Sequence, residues 1–184
     1  MKDDLRHKYK IKRKYFQHSR RTVADGAVAD NFINFFGQAE SFFVYYSFGS
    51  ETDTHLLIKR LLEAGKEVYL PRVEGRDMVA VRYFEGDELK KSSLGVSEPV
   101  GEAYGGKIDV AVVPLLAVNA DGYRLGYGGG FYDRFLKNCP CIRAGIGYDF
   151  QLTDELKADE WDEPLDIFIS ERGIYRFGKS TFSR

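Results

Sequence analysis

Arg124, the glycines at 126, 128, 129 and 130, and Asp133 fall within one short stretch, and together they suit the chemistry of holding a phosphate and a metal ion. Glycines lack Cβ atoms, so successive backbone amides can approach an anion closely. A helix start beyond them adds unpaired N–H groups and the positive end of a dipole. Arg124 brings a rigid fork of donors matched to phosphate, and Asp133 an oxygen ligand of the kind Mg²⁺ prefers. A solvent-exposed glycine connector is the bland alternative, and glycine content alone leaves the two readings even. The flanking arginine and the Tyr132-Asp133 pair favour phosphate.

The elements that must position this stretch are visible on either side. Residues 110–118 form an apolar run that reads as a buried strand. Phe131, Phe135 and Leu136 follow at i, i+4 and i+5, one face of a helix. Upstream, residues 2–16 carry Leu5, Tyr9, Ile11, Tyr15 and Phe16 as a partial apolar stripe among bases. After a break at Gln17-His18-Ser19, a second helix runs to Phe36 with Val23, Ala27, Phe32, Phe35 and Phe36 inward, and Gly37 stops it. Residues 42–46 read as a strand, and Thr52 or Asp53 caps a helix bearing Leu57, Ile58, Leu61 and Leu62. Val68-Tyr69-Leu70 is the next strand, ended by Pro71. Residues 78–83 alternate, residues 86–99 read as an irregular hairpin and loop, and short strands recur at 142–146 and 167–169.

Strands alternating with helices predict an α/β fold: a single three-layer domain over residues 1–184, with a largely parallel central sheet and helices on both faces. Ligands of such sheets lie at the carboxyl ends of strands. Two loops leave strands there, the glycine stretch and residues 47–51, so a second site is expected beside the phosphate cradle.

Composition narrows the function classes. With 184 residues, 43% hydrophobic and 30% charged, the chain resembles an ordinary soluble globule. Its longest apolar runs fall short of the ~20 residues a membrane span needs. No secretory leader is recognisable, and Cys139 and Cys141 flank Pro140 too closely to pair comfortably. A reducing cytoplasmic compartment, no membrane partner and a monomer are expected. Net charge is −1 but uneven, because residues 1–21 hold nine Lys or Arg against two Asp. Such a head suits nucleic acid, a nucleotide triphosphate or a solvated helix face, and the last is the commonest outcome.

Other motifs carry less. Residues 173–180 spell G-x-x-x-x-G-K-S, but a P-loop needs a helix behind it and too few residues follow Ser180. The match reads as coincidence. His7, His18 and His55 lack zinc-ligand spacing, and no G-x-S-x-G elbow or activated Cys is apparent. What survives is phosphate and magnesium chemistry without a protein nucleophile.

The run from Val112-Val113-Pro114 through Asp121-Gly122-Tyr123-Arg124-Leu125-Gly126-Tyr127-Gly128-Gly129-Gly130-Phe131-Tyr132-Asp133-Arg134 resembles the signature of the 5-formyltetrahydrofolate cyclo-ligase family. The resemblance implies that Lys2 and Arg6, in Lys2-Asp3-Asp4-Leu5-Arg6, contact ATP phosphates together with Arg124 and with Gly126, Tyr127, Gly128, Gly129, Gly130, Phe131 and Tyr132. It implies folate contacts from Tyr46, Glu51 and Phe131. It also implies Mg²⁺ ligands at Asp133 and at Asp166, the second acid of Asp162-Glu163-Pro164-Leu165-Asp166. Phe131 stands where the family usually has Tyr, and Trp161 where a His is frequent. The implied activity is ATP- and Mg²⁺-dependent closure of 5-formyltetrahydrofolate to 5,10-methenyltetrahydrofolate, with no nucleic acid involved. Two other classes stand beside it: a member that binds folate or nucleotide without turnover, and a nucleic-acid module using the basic head.

Overall fold

The computed structural model describes residues 2–178. Helices α1 (Lys2–Lys14) and α2 (His18–Phe35) come first, followed by β1 (Ser41–Val44) and α3 (His55–Glu63). A long antiparallel pair, β2 (Glu67–Glu74) and β3 (Asp77–Tyr83), leads to the short strands β4 (Leu89–Lys91), β5 (Ser97–Pro99) and β6 (Ala103–Tyr104). The core strand β7 (Val110–Val113) precedes a small hairpin of β8 (Ala117–Val118) and β9 (Arg124–Leu125). Helix α4 (Phe131–Lys137), β10 (Ile142–Ile146), β11 (Ile167–Ile169) and β12 (Ile174–Arg176) complete the chain.

Among the described residues, eight strands form one sheet in the order β12-β11-β10-β7-β1-β2-β3-β6. The central strands β2, β1, β7, β10 and β11 are parallel, and antiparallel strands extend both sides. Parallel strands covered on both faces need apolar side chains at every position, which is why β1 and β7 are buried throughout. Phe42 and Val44 pack with Val28 and Phe32 of α2 and Leu57, Ile58 and Leu61 of α3 on one face. Phe43 packs on the other with Leu136 and Phe135 of α4, its ring stacked on Phe135 at 4.4 Å. Each such fully buried side chain contributes about 1.5–3 kcal/mol. The largely parallel α/β sheet with helices on both faces is therefore present.

The structure departs from the sequence expectation in its details. Pro71 sits inside β2, opposite Ala80. It is tolerated because β1 pairs with β2 only as far as Tyr69, so no β1 partner is deprived of a donor. The apolar run 110–118 is broken by Pro114 into β7 and β8 rather than forming one strand. In α2 the buried face is Ala24, Val28 and Phe32, and Val23 is 74% exposed. In α1 the buried positions are Leu5, Tyr9 and Arg13. The i, i+4, i+8 row thus ends in a cation rather than in Ile11 or Tyr15, both exposed. Thr54 rather than Thr52 or Asp53 is the residue before α3, while Asp53 accepts the His55 N–H at 2.8 Å. Of the P-loop-like stretch, residues 174–176 form β12, antiparallel to β11. That is a paired strand and not a phosphate loop, and its Lys179 and Ser180 lie outside the described residues.

The connection into the glycine stretch is anchored at Gly122. Its carbonyl accepts the Leu165 N–H at 2.8 Å, and its φ is +86°, where a Cβ would also lie 2.7 Å from the Leu165 carbonyl oxygen and 2.8 Å from the Phe177 ring. Gly122→Ala is expected to destabilise the protein by about 1–3 kcal/mol or more, combining backbone strain and overpacking. The urea unfolding midpoint measures this, and an unchanged midpoint would mean that the turn is not held against Leu165 and Phe177.

Candidate active site

A cleft of about 510 Å³ opens where Tyr45 and Tyr46 follow β1 and Pro114 follows β7, at the carboxyl ends of parallel strands. Both loops expected there line it. Lys2, Arg6, Tyr46, Glu51, Arg124, Gly126, Tyr127, Gly128, Gly129, Gly130, Phe131, Tyr132 and Asp133 all border the one space. Residues separated by more than 120 positions in the chain are thus gathered by helix α1 lying over the glycine loop.

The glycine side of the cleft is built around a buried cation. Gly130 has φ +68° and directly precedes α4, so the chain turns into the helix through a conformation that suits glycine. Arg124, in β9, is only 7% exposed. One of its Nη atoms donates to Asp133 Oδ1 at 3.0 Å, and the guanidinium lies 5.9 Å from the Tyr132 ring centre. Its buried Nε has no hydrogen-bond partner among the described residues. Burial pulls the guanidinium below its ordinary pKa, opposed chiefly by Asp133, yet an arginine stays charged in any protein. A buried cation with an unanswered donor beside backbone amides is an arrangement that an anion completes.

Helix α1 lays two more cations along the same wall. Arg6 Nε donates to the Gly126 carbonyl at 3.0 Å. Lys2 Nζ reaches Asp159 at 2.6 Å and Asp162 at 2.7 Å. Burial alone would lower the Lys2 ammonium, but hydrogen bonds and charge from these two acids raise it. Lys8 also pairs with Glu155, so part of the basic head is answered by the acidic segment that precedes β11.

The opposite side is shaped by residues 45–54. Ser47 N–H donates to Thr54 Oγ1 at 2.9 Å and Thr54 N–H returns to Ser47 Oγ at 3.0 Å. Arg21 holds the Gly49 and Glu51 carbonyls at 3.1 and 2.5 Å. This frame turns Glu51 into the cleft at 8% exposure, with its Oε2 accepting the Phe48 N–H at 2.9 Å and its carboxylate within electrostatic reach of the Tyr127 hydroxyl. Burial pushes the Glu51 carboxyl above its ordinary range, and the Phe48 N–H, Tyr127 and Arg13 oppose it. Tyr46 stacks on His55 with ring centres 4.1 Å apart.

Asp166 is not brought into this space. It immediately precedes β11, at the opposite, amino-terminal end of a parallel strand, and its Oδ2 accepts the Arg143 N–H at 2.7 Å. The carboxylate of that segment that lines the cleft is Asp162, with Asp159 beside it. Sequence reasoning noted Trp161 and a hairpin within residues 86–99 but gave neither a place at the cleft, which Trp161, Leu94 and Val96 border. Nothing in the sequence separates the two acids of Asp162-Glu163-Pro164-Leu165-Asp166 except that Asp166 abuts an apolar triplet, where strand geometry fixes its surroundings. Among the described residues no three His, Cys, Asp or Glu side chains cluster as a ready-made metal site.

Comparison with known proteins finds one family throughout. The model of the 5-formyltetrahydrofolate cyclo-ligase family matches residues 1–171. The chain is 35% identical over 144 residues to the 5-formyltetrahydrofolate cyclo-ligase of Escherichia coli (strain K12), covering 73% of this chain and 79% of the relative. The Mus musculus enzyme of the same name is 29% identical over 147 residues, covering 70% and 71%. The NMR structure of Aquifex aeolicus 5,10-methenyltetrahydrofolate synthetase superposes with a TM-score of 0.87 at 31% identity, over 100% of this chain and 96% of that one.

The raised Glu51 carboxyl has a consequence for stability. A carboxyl whose folded pKa lies above its unfolded value weakens the fold as pH rises through that interval. Glu51→Gln is therefore expected to raise the thermal midpoint of the ligand-free protein at neutral pH, with the difference vanishing below about pH 4, where both states are protonated. Melting curves at the two pH values check this. A lower midpoint for Glu51→Gln at neutral pH would show that the carboxylate stabilises the fold.

Proposed function

The chain belongs to the 5-formyltetrahydrofolate cyclo-ligase family, and from that membership we propose that it converts 5-formyltetrahydrofolate and ATP to 5,10-methenyltetrahydrofolate, ADP and phosphate. The observation that carries the ATP part is buried Arg124, with its unpartnered Nε, set beside the glycine loop in the same cleft as Glu51.

The chemistry explains why one cleft must serve both ligands. The N5-formyl group is amide-like, so its carbon is a poor electrophile and its oxygen a poor leaving group. In this reading the formyl oxygen attacks the γ-phosphorus and the bond to ADP breaks. N10 then attacks the activated carbon, the carbon–oxygen bond breaks, and phosphate departs while N10 loses its proton. Phosphoryl transfer depends mainly on positioning and charge neutralisation, not on a protein nucleophile. Arg124, Lys2 and Arg6 supply positive charge, and the backbone of the glycine loop supplies donors. Tyr46, Glu51 and Phe131 form the wall assigned to folate, where the Phe131 ring keeps an aromatic face without a hydroxyl.

Mg²⁺ would neutralise phosphate charge, and it commonly takes only one or two protein carboxylates beside phosphate and water. Asp133 and Asp162 fit that role, since both line the cleft and each is balanced by a cation, Arg124 or Lys2, in the ligand-free chain. Asp162 thus takes the place given to Asp166. Cys139 and Cys141 are both free thiols, and a cytoplasmic setting goes with this reading.

Two tests follow. Incubation with 5-formyltetrahydrofolate should give the conjugated methenyl chromophore in the near-ultraviolet only with ATP and Mg²⁺ together, and no product under any condition would discard the enzyme reading in favour of ligand binding without turnover. Asp162→Asn is expected to raise the Mg²⁺ concentration for half-maximal rate by about tenfold or more, equivalent to ~1.4 kcal/mol. Asp166→Asn should leave that concentration unchanged and instead lower stability by about 1–3 kcal/mol, through the weakened bond to Arg143. The reverse pattern would return the metal to Asp166.

A further inference from the structure

Arg13 is a buried cation that the reaction as described does not use. It ends the inward row of α1 and is 3% exposed. One Nη donates to the Leu115 carbonyl at 3.2 Å, the other to the Tyr127 hydroxyl at 2.6 Å, and its Nε has no partner among the described residues. Leaving water costs such a group several kcal/mol, so a neutral side chain would suit a purely structural row better. Its contacts run toward the cleft. The guanidinium also lies 5.6 Å from the Tyr127 ring centre, and Tyr127 borders the cleft with Glu51, whose carboxyl interacts electrostatically with the Tyr127 hydroxyl.

We propose that Arg13 is a positioning residue for the substrate side of the cleft, clamping the Tyr127 hydroxyl so that Tyr127 holds the Glu51 carboxylate toward the substrate. The role given to Glu51 rests on the cyclo-ligase reading; the clamp does not. Helix α1 then serves both walls: Lys2 and Arg6 on the nucleotide side, and Arg13 acting through Tyr127 on the folate side. The ionisable groups that act on the Glu51 carboxyl are Arg13 from α1, Tyr127 from the glycine loop, Tyr132 from α4 and Tyr45 behind β1, while Arg21 of α2 bonds to the Glu51 backbone carbonyl. Only Arg13 among these is a cation. Removing it leaves burial less opposed.

The test follows the Glu51 carboxyl by carbon-13 NMR through a pH titration of the ligand-free protein, with the resonance assigned by its loss in Glu51→Gln. Arg13→Gln and Tyr127→Phe should each move the Glu51 midpoint upward, with Arg13→Lys moving it less. In equilibrium titrations at about pH 7, Arg13→Gln and Tyr127→Phe should each weaken 5-formyltetrahydrofolate binding by about tenfold, and Arg13→Gln should change ATP affinity by less than about twofold. Because the two act in series, the double variant should bind no worse than the weaker single variant. A Glu51 midpoint that does not move in either variant would overturn the proposal. So would equal losses for both ligands that track a lower thermal midpoint, the mark of a packing role. If Arg13→Gln does not fold, Tyr127→Phe keeps the ring and carries the Glu51 titration and the folate measurement. A shifted midpoint in a protein that binds no 5-formyltetrahydrofolate would support the clamp and refute the cyclo-ligase reading.

Discussion

The structure turns on a guanidinium held almost out of water. Arg124 sits in a two-residue strand, with Asp133 as its ion-pair partner and one nitrogen unanswered. A charge so placed is tolerated only where its surroundings are rigid and where an anion can replace or supplement the existing partner. The elements around it supply that rigidity. The β8–β9 hairpin aims Arg124, the turn at Gly122 ties the hairpin to the segment before β11, and α4 returns Asp133 from the far side of the glycine loop. Behind them, the Phe43–Phe135 stack fixes α4 against the sheet.

Cations and carboxylates of the cleft pair with one another. Arg124 pairs with Asp133, and Lys2 with Asp159 and Asp162. Arrival of a polyphosphate with its metal would let the partners exchange, cations to phosphate and carboxylates to metal, so that little charge is left bare at any stage. Helix α1 is central to this exchange. It is docked by the small cluster Leu5, Tyr9, Leu116, Ala117, Leu125 and Leu156 and carries Lys2, Arg6, Lys8 and Arg13. The uneven charge along the sequence has a local meaning here, since the acidic segment packs against the basic helix.

Much of this was legible in the sequence, and for identifiable reasons. Strands buried on both faces demand unbroken apolar runs, so β1 and β7 stood out, and the glycine stretch declared itself by the absence of side chains between an Arg and an Asp. Positions decided by rotation or by distant partners were not legible. The inward face of α2 includes Phe32 as expected, but Ala24 and Val28, less conspicuous in the sequence, take the place of Val23. Arg13 was hidden among eight other bases of residues 1–21, and only the docked helix shows that it alone among the residues of α1 is a buried cation. Asp162 and Asp166 are four residues apart, and which of them faces the cleft depends on the path of the loop before β11, whose Leu165 packs on the α4 side of the sheet.

In the proposed reaction the glycine loop and the Glu51 wall form one cleft in which phosphate is transferred to the formyl oxygen. The most direct measurement is a turnover with 5-formyltetrahydrofolate labelled with oxygen-18 in the formyl group, followed by mass analysis of the released phosphate. The account predicts that each phosphate carries the substrate's labelled oxygen. Unlabelled phosphate formed together with methenyl product would show that ATP is cleaved without touching the formyl oxygen, and would contradict it.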